Sequence, residues 1–408
     1  MKPLGPIPAG YGAIDGVLAV GGQKVAQLVD MAGGTPLFVY SEDMLRTRVA
    51  QLRNAMPERL EIHYAIKANP FIPILKVFSE LVDGFDIASG GELDIVTAAG
   101  IDPALVSFAG PGKRDRELEA AISAGVTLNL ESEAEAMRAI AIGERLGKTP
   151  RLAIRVNPDF DLKGSGMKMG GGAKPFGLDA ERVPALVREV IASGAEWRGF
   201  LIFAGSQALD AEAVADTQAQ TLELAARLVR ECNSPLPHCN LGGGFGIPYF
   251  PGDVPLDLAL VGEKLAAQFD TLPAELADTD FCIELGRYLV GDSGVYLATV
   301  IDRKDSHGEV FLVTDGGMHH QLAASGNFGT VVRRNYPAAI ATKFVAEPQE
   351  EASIVGCLCT PLDRLSDKGH FPRADVGDIV AIFCAGAYGA SASPSAFLGQ
   401  GPALEMLV

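Results

Sequence analysis

The sequence predicts a (β/α)8 barrel followed by a domain built mainly of β-strands. Three observations support this prediction. The chain has 408 residues, which is too long for one small hydrophobic core. Between residues 62 and 286, short apolar runs alternate with helical stretches rich in Ala, Leu and Glu. After about residue 290 the pattern changes to separated strand-like runs with turns between them.

The barrel prediction rests on eight runs that are rich in apolar and β-branched residues. Each run is followed by Gly or polar residues and then by a helical stretch, which is the order of a βα repeat. The runs are residues 62–66, 85–88, 105–109, 127–130, 152–156, 200–204, 239–242 and 281–285. Eight successive parallel strands predict a closed barrel, whose functional residues are expected at the carboxyl ends of the strands.

The remaining chain predicts a second, β-rich domain. Its strand candidates are residues 295–301, 309–314, 352–355 and 379–383. One further candidate, residues 37–40, lies in the opening segment and is expected to join this second domain. The predicted domains are therefore 41–290 for the barrel and 1–40 plus 291–408 for the β domain.

Composition excludes several classes of function. The formal net charge of −17 argues against a nucleic-acid partner, because basic side chains dominate phosphate binding. No apolar run reaches the roughly 18 to 20 residues that cross a bilayer, and no secretory signal is visible at residues 1–10. The six cysteines are scattered, and Cys357 with Cys359 alone is a weak zinc pattern. We expect a cytoplasmic protein that acts on small molecules, with neither a membrane segment nor a metal.

A lysine ends the first predicted barrel strand. The segment H-Y-A-I-K-A-N places Lys67 there, among apolar neighbours that would desolvate its amine. A desolvated amine favours imine chemistry with a carbonyl compound. The alternative is a lysine that simply extends into solvent from a strand end.

Three later strand ends add polar or flexible residues. Gly242 to Gly246 contain four glycines, whose backbone can approach an anion closely, although a plain turn would look the same. Ser206 follows the sixth strand and adds a hydroxyl donor. Glu284 and Arg287 end the eighth strand, where an isolated ion pair is the alternative. The glycine-rich segment 163–174 predicts a mobile loop over the barrel mouth.

These motifs together resemble one enzyme family. In order they read HYAIKAN, FDIASGGE, GSQ, LGGGFG, IELGR, TDGGM, CLCTPLD and GAYGAS, and they span residues 63 to 391. The set resembles the pyridoxal 5'-phosphate (PLP) dependent decarboxylases of the alanine-racemase fold, which act on ornithine, diaminopimelate and arginine. It is also similar to the exosortase-associated subgroup and to enzymes whose aminoacyl substrate is tethered to a carrier protein. The resemblance implies that the β domain is a C-terminal β-sandwich or β-barrel.

The resemblance also implies a role for each motif residue. Lys67 would hold the aldehyde of PLP, and Glu284 would keep the pyridine nitrogen protonated so that the ring accepts electrons. Asp86 and Glu92 would orient the lysine. Cys359 would protonate the substrate carbanion from the partner subunit, which implies a homodimer with shared active sites. The remaining cofactor-binding residues would be Ser206, Gly243, Gly244, Gly286, Arg287 and Tyr388.

Three positions depart from the family pattern. Phe203 stands where a histidine usually stacks on the cofactor ring, and a phenyl ring can stack but cannot hydrogen-bond. Asn327 and Thr360, with Tyr388 nearby in the substrate site, occupy positions where related enzymes hold a charged distal group. A site without such charges favours an L-α-amino acid with a neutral or carrier-tethered far end.

Three alternatives stay open. The first is a diaminopimelate, ornithine or lysine decarboxylase that acts on the free amino acid. The second is a racemase of the same fold, in which an arginine usually faces the pyridine nitrogen, so that Glu284 argues against it. The third is a non-catalytic homologue, against which the presence of the cofactor residues argues.

Overall fold

The computed structural model describes residues 1–164, 166–326 and 334–408. The chain forms two compact units. One contains Met1–Thr47, Pro248–Val254 and Leu289–Val408, and the other contains Arg48–Ile247 and Pro255–Tyr288. Within the described ranges, no helix combines the length and the apolar character that a membrane crossing requires.

The chain begins with short elements of the first unit. Strands β1 (Gly12–Ile14), β2 (Val17–Val20) and β3 (Gln23–Lys24) form a small antiparallel sheet. Helix α1 (Val25–Ala32) follows and ends at Gly33, whose φ of 89° is readily adopted only by glycine. Strand β4 (Leu37–Tyr40) is wholly buried.

The second unit is a closed barrel of parallel strands. In chain order the strands of this unit are β5 (Leu60–Ala65), β6 (Gly84–Ile87), β7 (Val106–Phe108), β8 (Thr127–Leu130), β9 (Arg151–Asn157), β10 (Met167–Lys168), β11 (Leu178–Asp179), β12 (Glu196–Ile202), β13 (Gly205–Ser206), β14 (His238–Gly243) and β15 (Asp280–Leu285). Of these, β10 and β13 form a separate antiparallel pair, and β11 extends the sheet beside β9. The ring runs β5-β6-β7-β8-β9-β12-β14-β15 and closes through parallel pairing of β15 with β5. All eight predicted barrel strands are confirmed.

Helices alternate with the barrel strands, as the predicted repeat requires, and one helix precedes the first strand. In chain order they are α2 (Glu42–Ala55), α3 (Ile72–Phe78), α4 (Gly90–Ala98), α5 (Asp115–Ala124), α6 (Glu133–Leu146), α7 (Val183–Ala192), α8 (Ala211–Cys232), α9 (Leu258–Asp270) and α10 (Arg287–Val290). Several begin at a side-chain cap: Ser89 accepts from the backbone N–H of Glu92, and Ser132 accepts from that of Glu135.

The strands of the barrel have one apolar and one polar face. On β5, Tyr64 packs against Phe78 of α3 with ring centroids 4.3 Å apart, so this face belongs to the apolar layer between strands and helices. Glu61 and His63 alternate with it and line a cavity together with Asn129 and Asn240. Polar chemistry is therefore concentrated inside the barrel and at its ends.

The first unit is completed by a sheet of strands from both ends of the chain. The later elements are β16 (Gly294–Ser306), β17 (Glu309–Thr314), β18 (Ala338–Ile340), β19 (Glu350–Val355), β20 (Arg364–Phe371), β21 (Ile379–Ile382), helix α11 (Gly389–Ala392) and β22 (Leu404–Leu407). The order is β18-β21-β16-β17-β19-β20, and β4 pairs with both β16 and β22. The four predicted strands and the predicted joining of residues 37–40 are confirmed.

Candidate active site

Lys67 and Glu284 meet at the carboxyl ends of two neighbouring barrel strands. Lys67 lies in a single helical turn, Ile66–Ala68, directly after β5, and Glu284 is the penultimate residue of β15. Lys67 Nζ is 3.4 Å from Glu284 Oε1. The Glu284 side chain is only 7% exposed, whereas that of Lys67 is 48% exposed and can be reached by a substrate.

The carboxyl group of Glu284 is buried away from water, which disfavours its charged form. Burial raises the pKa of Glu284, and the positive charge of Lys67 opposes that rise. A cationic group that replaced water beside this carboxylate would therefore be stabilised. The site can hold a positive charge at a fixed position inside the barrel mouth.

Phe203 follows β12 and faces the same region. Its ring centroid is 6.0 Å from Lys67 Nζ. The structure thus brings the residue predicted to stack on a cofactor ring close to the lysine predicted to hold that cofactor. An aromatic face at this distance also attracts the ammonium group of Lys67.

Glycine is required where β13, β14 and β15 approach one another. A Cβ atom added to Gly243 would lie 2.0 Å from the backbone oxygen of Glu284. A Cβ atom on Gly244, whose φ is 79°, would lie 2.1 Å from the backbone oxygen of Gly205. These contacts place Ser206, the next residue along β13, beside the glycine turn. Any side chain at Gly243 or Gly244 would push the strand ends apart.

The segment after Glu284 packs against the lysine turn. A Cβ atom on Gly286 would lie 2.9 Å from that of Ala68, which neighbours Lys67. Arg287 then begins α10. The E-L-G-R segment therefore carries Glu284 and Arg287 on one short stretch whose glycine packs against the lysine turn.

Asp86 and Glu92 have contacts that differ from their predicted role. Asp86 is buried in β6, accepts a hydrogen bond from Ser107 Oγ, and lies 3.7 Å from His63 Nδ1. Glu92 accepts from the backbone N–H of Ala88 at 2.6 Å, so its carboxylate holds the segment just before α4. Burial raises the pKa of Glu92, and the charge of Lys67 opposes that rise. Their part in orienting Lys67 stays a prediction.

In the first unit, Cys359 lies on a loop that Asp363 holds in place. Cys359 is exposed. Asp363 accepts from the backbone N–H of Leu358 at 2.9 Å and from that of Met318 at 2.7 Å. It therefore ties the C-L-C-T-P-L-D segment to the T-D-G-G-M segment. Asp363 was not among the predicted site residues, although it is the acidic residue that ends the first of these motifs.

The predicted substrate residues are described in part. Thr360 Oγ1 accepts from the backbone N–H of Leu362 at 3.3 Å. Tyr388 has a left-handed backbone, with φ at 60°, directly before α11. Asn327 lies outside the described residues.

A known family matches most of the barrel. The sequence model for the pyridoxal-binding domain of pyridoxal-dependent decarboxylases matches residues 42–291.

Relatives and solved structures extend the match to the whole chain. The L-glutamyl-[BtrI acyl-carrier protein] decarboxylase of Niallia circulans is 34% identical over 379 residues, or 91% of this chain and 88% of that protein. A diaminopimelate decarboxylase of Neisseria meningitidis serogroup A is 34% identical and covers 92% of this chain and 90% of its own length. The diaminopimelate decarboxylase of M. jannaschii in complex with L-lysine superposes with a TM-score of 0.85 at 25% identity, over 98% of this chain and 93% of that one.

Proposed function

Because this chain belongs to the pyridoxal-dependent decarboxylase family, we propose that it removes the α-carboxylate of an L-α-amino acid whose far end is neutral or tethered to a carrier protein. The contact between Lys67 Nζ and Glu284 Oε1 is the observation that supports this most directly. It supplies an amine and a buried carboxylate side by side at the catalytic end of a barrel.

PLP is the cofactor of this family, and the residues at the strand ends fit it. When bound, PLP supplies the electron sink for the pair released as CO2 leaves. Lys67 would hold its aldehyde, and Glu284 would accept a hydrogen bond from its ring nitrogen. Phe203 would cover one face of the ring. The close approach of backbone at Gly243 leaves that turn without side chains, which suits an anion.

The phosphate group would be held mainly by residues at the ends of three barrel strands. Arg287 contributes the positive charge, and Ser206 contributes a hydroxyl donor. The full set that we assign to the phosphate is Ser206, Gly243, Gly244, Gly286, Arg287 and Tyr388.

The substrate proposal depends on two uncharged positions. Thr360 and Asn327 stand where related enzymes carry charged residues, so a charged distal group would find no partner at either position. The relative from Niallia circulans acts on a glutamyl group carried by a carrier protein. The glycine-rich segment lies beside the strand end of Ser206, because Met167 pairs with Ser206. A substrate with a long neutral arm could enter beside this segment. Such a substrate would fit the uncharged residues at positions 327 and 360 and the carrier-bound substrate of the relative.

We further propose that the active enzyme is a homodimer in which each site is completed by the partner. Cys359 would deliver a proton to the substrate carbanion in the site of the other protomer. Its exposure in the single chain is consistent with a place at a subunit surface. Asp363 would be a positioning residue for this thiol, since it fixes the Leu358 backbone next to it.

Two measurements test the proposed function. Borohydride reduction followed by peptide mapping should find the cofactor on Lys67, with the buried Lys113 unmodified as an internal control. Reduced cofactor on another lysine would overturn the assignment. The second measurement compares kcat/KM for ornithine, lysine, diaminopimelate and carrier-bound glutamate. Carrier-bound glutamate should be preferred, and faster turnover of free ornithine or diaminopimelate would show that the substrate proposal is wrong.

A further inference from the structure

A second cluster of reactive side chains lies inside the barrel, on three strands that are neighbours in the ring. His63 belongs to β5, His238 to β14 and Cys282 to β15. One ring nitrogen of each histidine and the sulfur of the cysteine all lie within 4.8 Å of one another. The proposed decarboxylation uses none of these three residues.

Glu61 adds a fourth ligand atom to this cluster. Its Oε2 is 3.5 Å from His63 Nε2 and 3.4 Å from His238 Nε2. Ligand atoms around a tetrahedral zinc ion, bound at about 2.0 to 2.3 Å, are roughly 3.3 to 3.8 Å apart. We propose that His63, His238, Cys282 and Glu61 bind one Zn²⁺ ion. Glu61 Oε2 already lies at tetrahedral spacing from one ring nitrogen of each histidine. The sulfur of Cys282 lies within 4.8 Å of the histidine ligand atoms, and side-chain movement would bring the set to bonding distance.

The surroundings of His63 match those of a metal-bound histidine. Its Nδ1 lies 3.7 Å from Asp86 Oδ2, and both atoms are buried without a hydrogen bond among the described residues. Metal-ligating histidines usually donate their other ring N–H to such a carboxylate, which fixes the ring. Ser107 holds the other oxygen of Asp86. Gly84 leaves room for the imidazole, because a Cβ atom there would lie 2.6 Å from His63 Nε2.

An ion can enter the cluster from solvent. A cavity of about 220 Å³ lies beside it and is lined by Glu61, His63 and His238, together with Arg198 and Asp280. The Glu61 side chain is 44% exposed, so it can capture an ion before the buried thiol is reached. Asp280 and His238 begin their strands, which places this opening at the amino ends of the strands. Lys67 and Glu284 lie at the carboxyl ends.

The ligand types select zinc rather than magnesium or calcium. A thiolate and two imidazoles are soft or borderline ligands, whereas the two alkaline-earth ions prefer oxygen. Binding requires Cys282 as a thiolate and both histidines as neutral rings, so any protons on them are released to solvent. The ion would link β14, β15 and β5, whose other ends carry the glycine turn, Glu284 and Lys67. Its expected role is to stabilise this side of the barrel.

Zinc titration of the PLP-loaded enzyme tests the proposal. After dialysis against a chelator, the protein is titrated with ZnCl2 in competition with a chromophoric chelator, and bound metal is counted by mass spectrometry. We expect one Zn²⁺ per chain. Cys282→Ser should weaken binding by at least about 100-fold, since even loss of a residue that only holds a ligand costs roughly 10- to 100-fold. The matched control, Cys232→Ser, removes a buried thiol on α8 and should bind zinc as the wild type does.

X-ray absorption at the zinc edge of the wild-type enzyme does not depend on a variant folding. One sulfur and two imidazole ligands are expected. Two sulfur ligands would point to Cys357 and Cys359 and would overturn the proposal. So would a spectrum without sulfur, an enzyme that binds no zinc, or a Cys282→Ser variant with unchanged affinity. Failure of the zinc test leaves the decarboxylase proposal standing, because the two sites share no residue that contacts cofactor.

Discussion

Lys67 Nζ lies 3.4 Å from Glu284 Oε1, and these two residues are 217 positions apart in the sequence. The contact exists because β5 and β15 are neighbours in the closed ring, with Glu284 paired opposite His63. Closing the barrel therefore builds the centre of the site. Neither residue would be near the other in an open sheet that separated the first strand from the last.

Removing the charge of Glu284 should reduce catalysis while the cofactor stays bound. We expect Glu284→Gln to lower kcat by about 100- to 1000-fold, because a neutral amide cannot stabilise a protonated ring nitrogen as a carboxylate does. The absorbance of bound PLP should persist. The control is Glu263→Gln, an exposed carboxylate on α9. A Glu284→Gln enzyme with wild-type kcat would contradict the proposed role.

Shared active sites predict complementation between two inactive variants. Lys67→Ala and Cys359→Ala chains should each be inactive alone. In randomly formed dimers half of the molecules are mixed, and each mixed dimer holds one intact composite site, so roughly a quarter of the activity should return. Activity is measured after co-expression and compared with each variant alone. Mixed dimers without activity would show that Cys359 serves its own subunit.

The sequence predicted the strand positions well but could not predict which side chains meet inside the barrel. Apolar runs followed by helical stretches mark each barrel strand, so periodicity located all eight. Strand β20 (Arg364–Phe371) was missed because it reads R-L-S-D-K-G-H-F and shows no apolar alternation. Its charges are balanced by distant partners, as in the ion pair of Lys368 with Glu309 at 2.7 Å.

The site residues also show that the sequence identifies single motifs but does not predict which side chains meet. Family motifs identified Lys67 and Glu284, and the structure brings them together. The cluster of Glu61, His63, His238 and Cys282 has no sequence signature, because its members lie on three strands that only barrel closure makes adjacent. Contacts of this kind depend on strand register, which a single sequence does not reveal.

The buried ion pair of Lys113 and Glu135 predicts a large effect on stability. Lys113 Nζ is 2.6 Å from Glu135 Oε1, and the two side chains are 1% and 2% exposed. Lys113 also donates to the backbone oxygens of Gly110 and Asn129. Lys113→Met should lower stability by about 3 to 5 kcal/mol, because it leaves a carboxylate buried without its partner. The double variant Lys113→Met/Glu135→Leu should melt at a higher temperature than the single variant. The reverse order would contradict this account.

Acid should destabilise the first unit through His320. Burial lowers the pKa of His320 to about 4, and its ring is bonded to Tyr296 Oη at 2.9 Å and to the backbone oxygen of Gly401 at 3.0 Å. His320 takes up its proton near pH 6.5 in the unfolded chain but only near pH 4 in the folded chain. The contribution of the neutral His320 ring to the free energy of unfolding is therefore fully present above pH 6.5. It is lost as the pH falls toward 4, and the total loss is about 3 kcal/mol.

The change is measured as melting temperature against pH. His320→Gln should flatten the curve between pH 6.5 and 4, while the exposed His307→Gln should leave it unchanged. Equal slopes for wild type and His320→Gln would show that other groups dominate the acid sensitivity.

The substrate proposal predicts that one added carboxylate changes specificity. We propose that Thr360 takes the place of an acidic residue of ornithine-type enzymes, so Thr360→Asp should give a distal ammonium a partner. A charge pair of this kind contributes on the order of 2 to 5 kcal/mol when desolvated, so kcat/KM for free ornithine or lysine should rise at least about tenfold. Thr360→Asn has the same size as the aspartate but no charge, and it should not raise kcat/KM for either diamine. Carrier-bound glutamate should be turned over more slowly by Thr360→Asp than by Thr360→Asn, because only the aspartate would be left buried without a partner. If both variants change the diamine rates equally, the side chain at position 360 does not face the distal group.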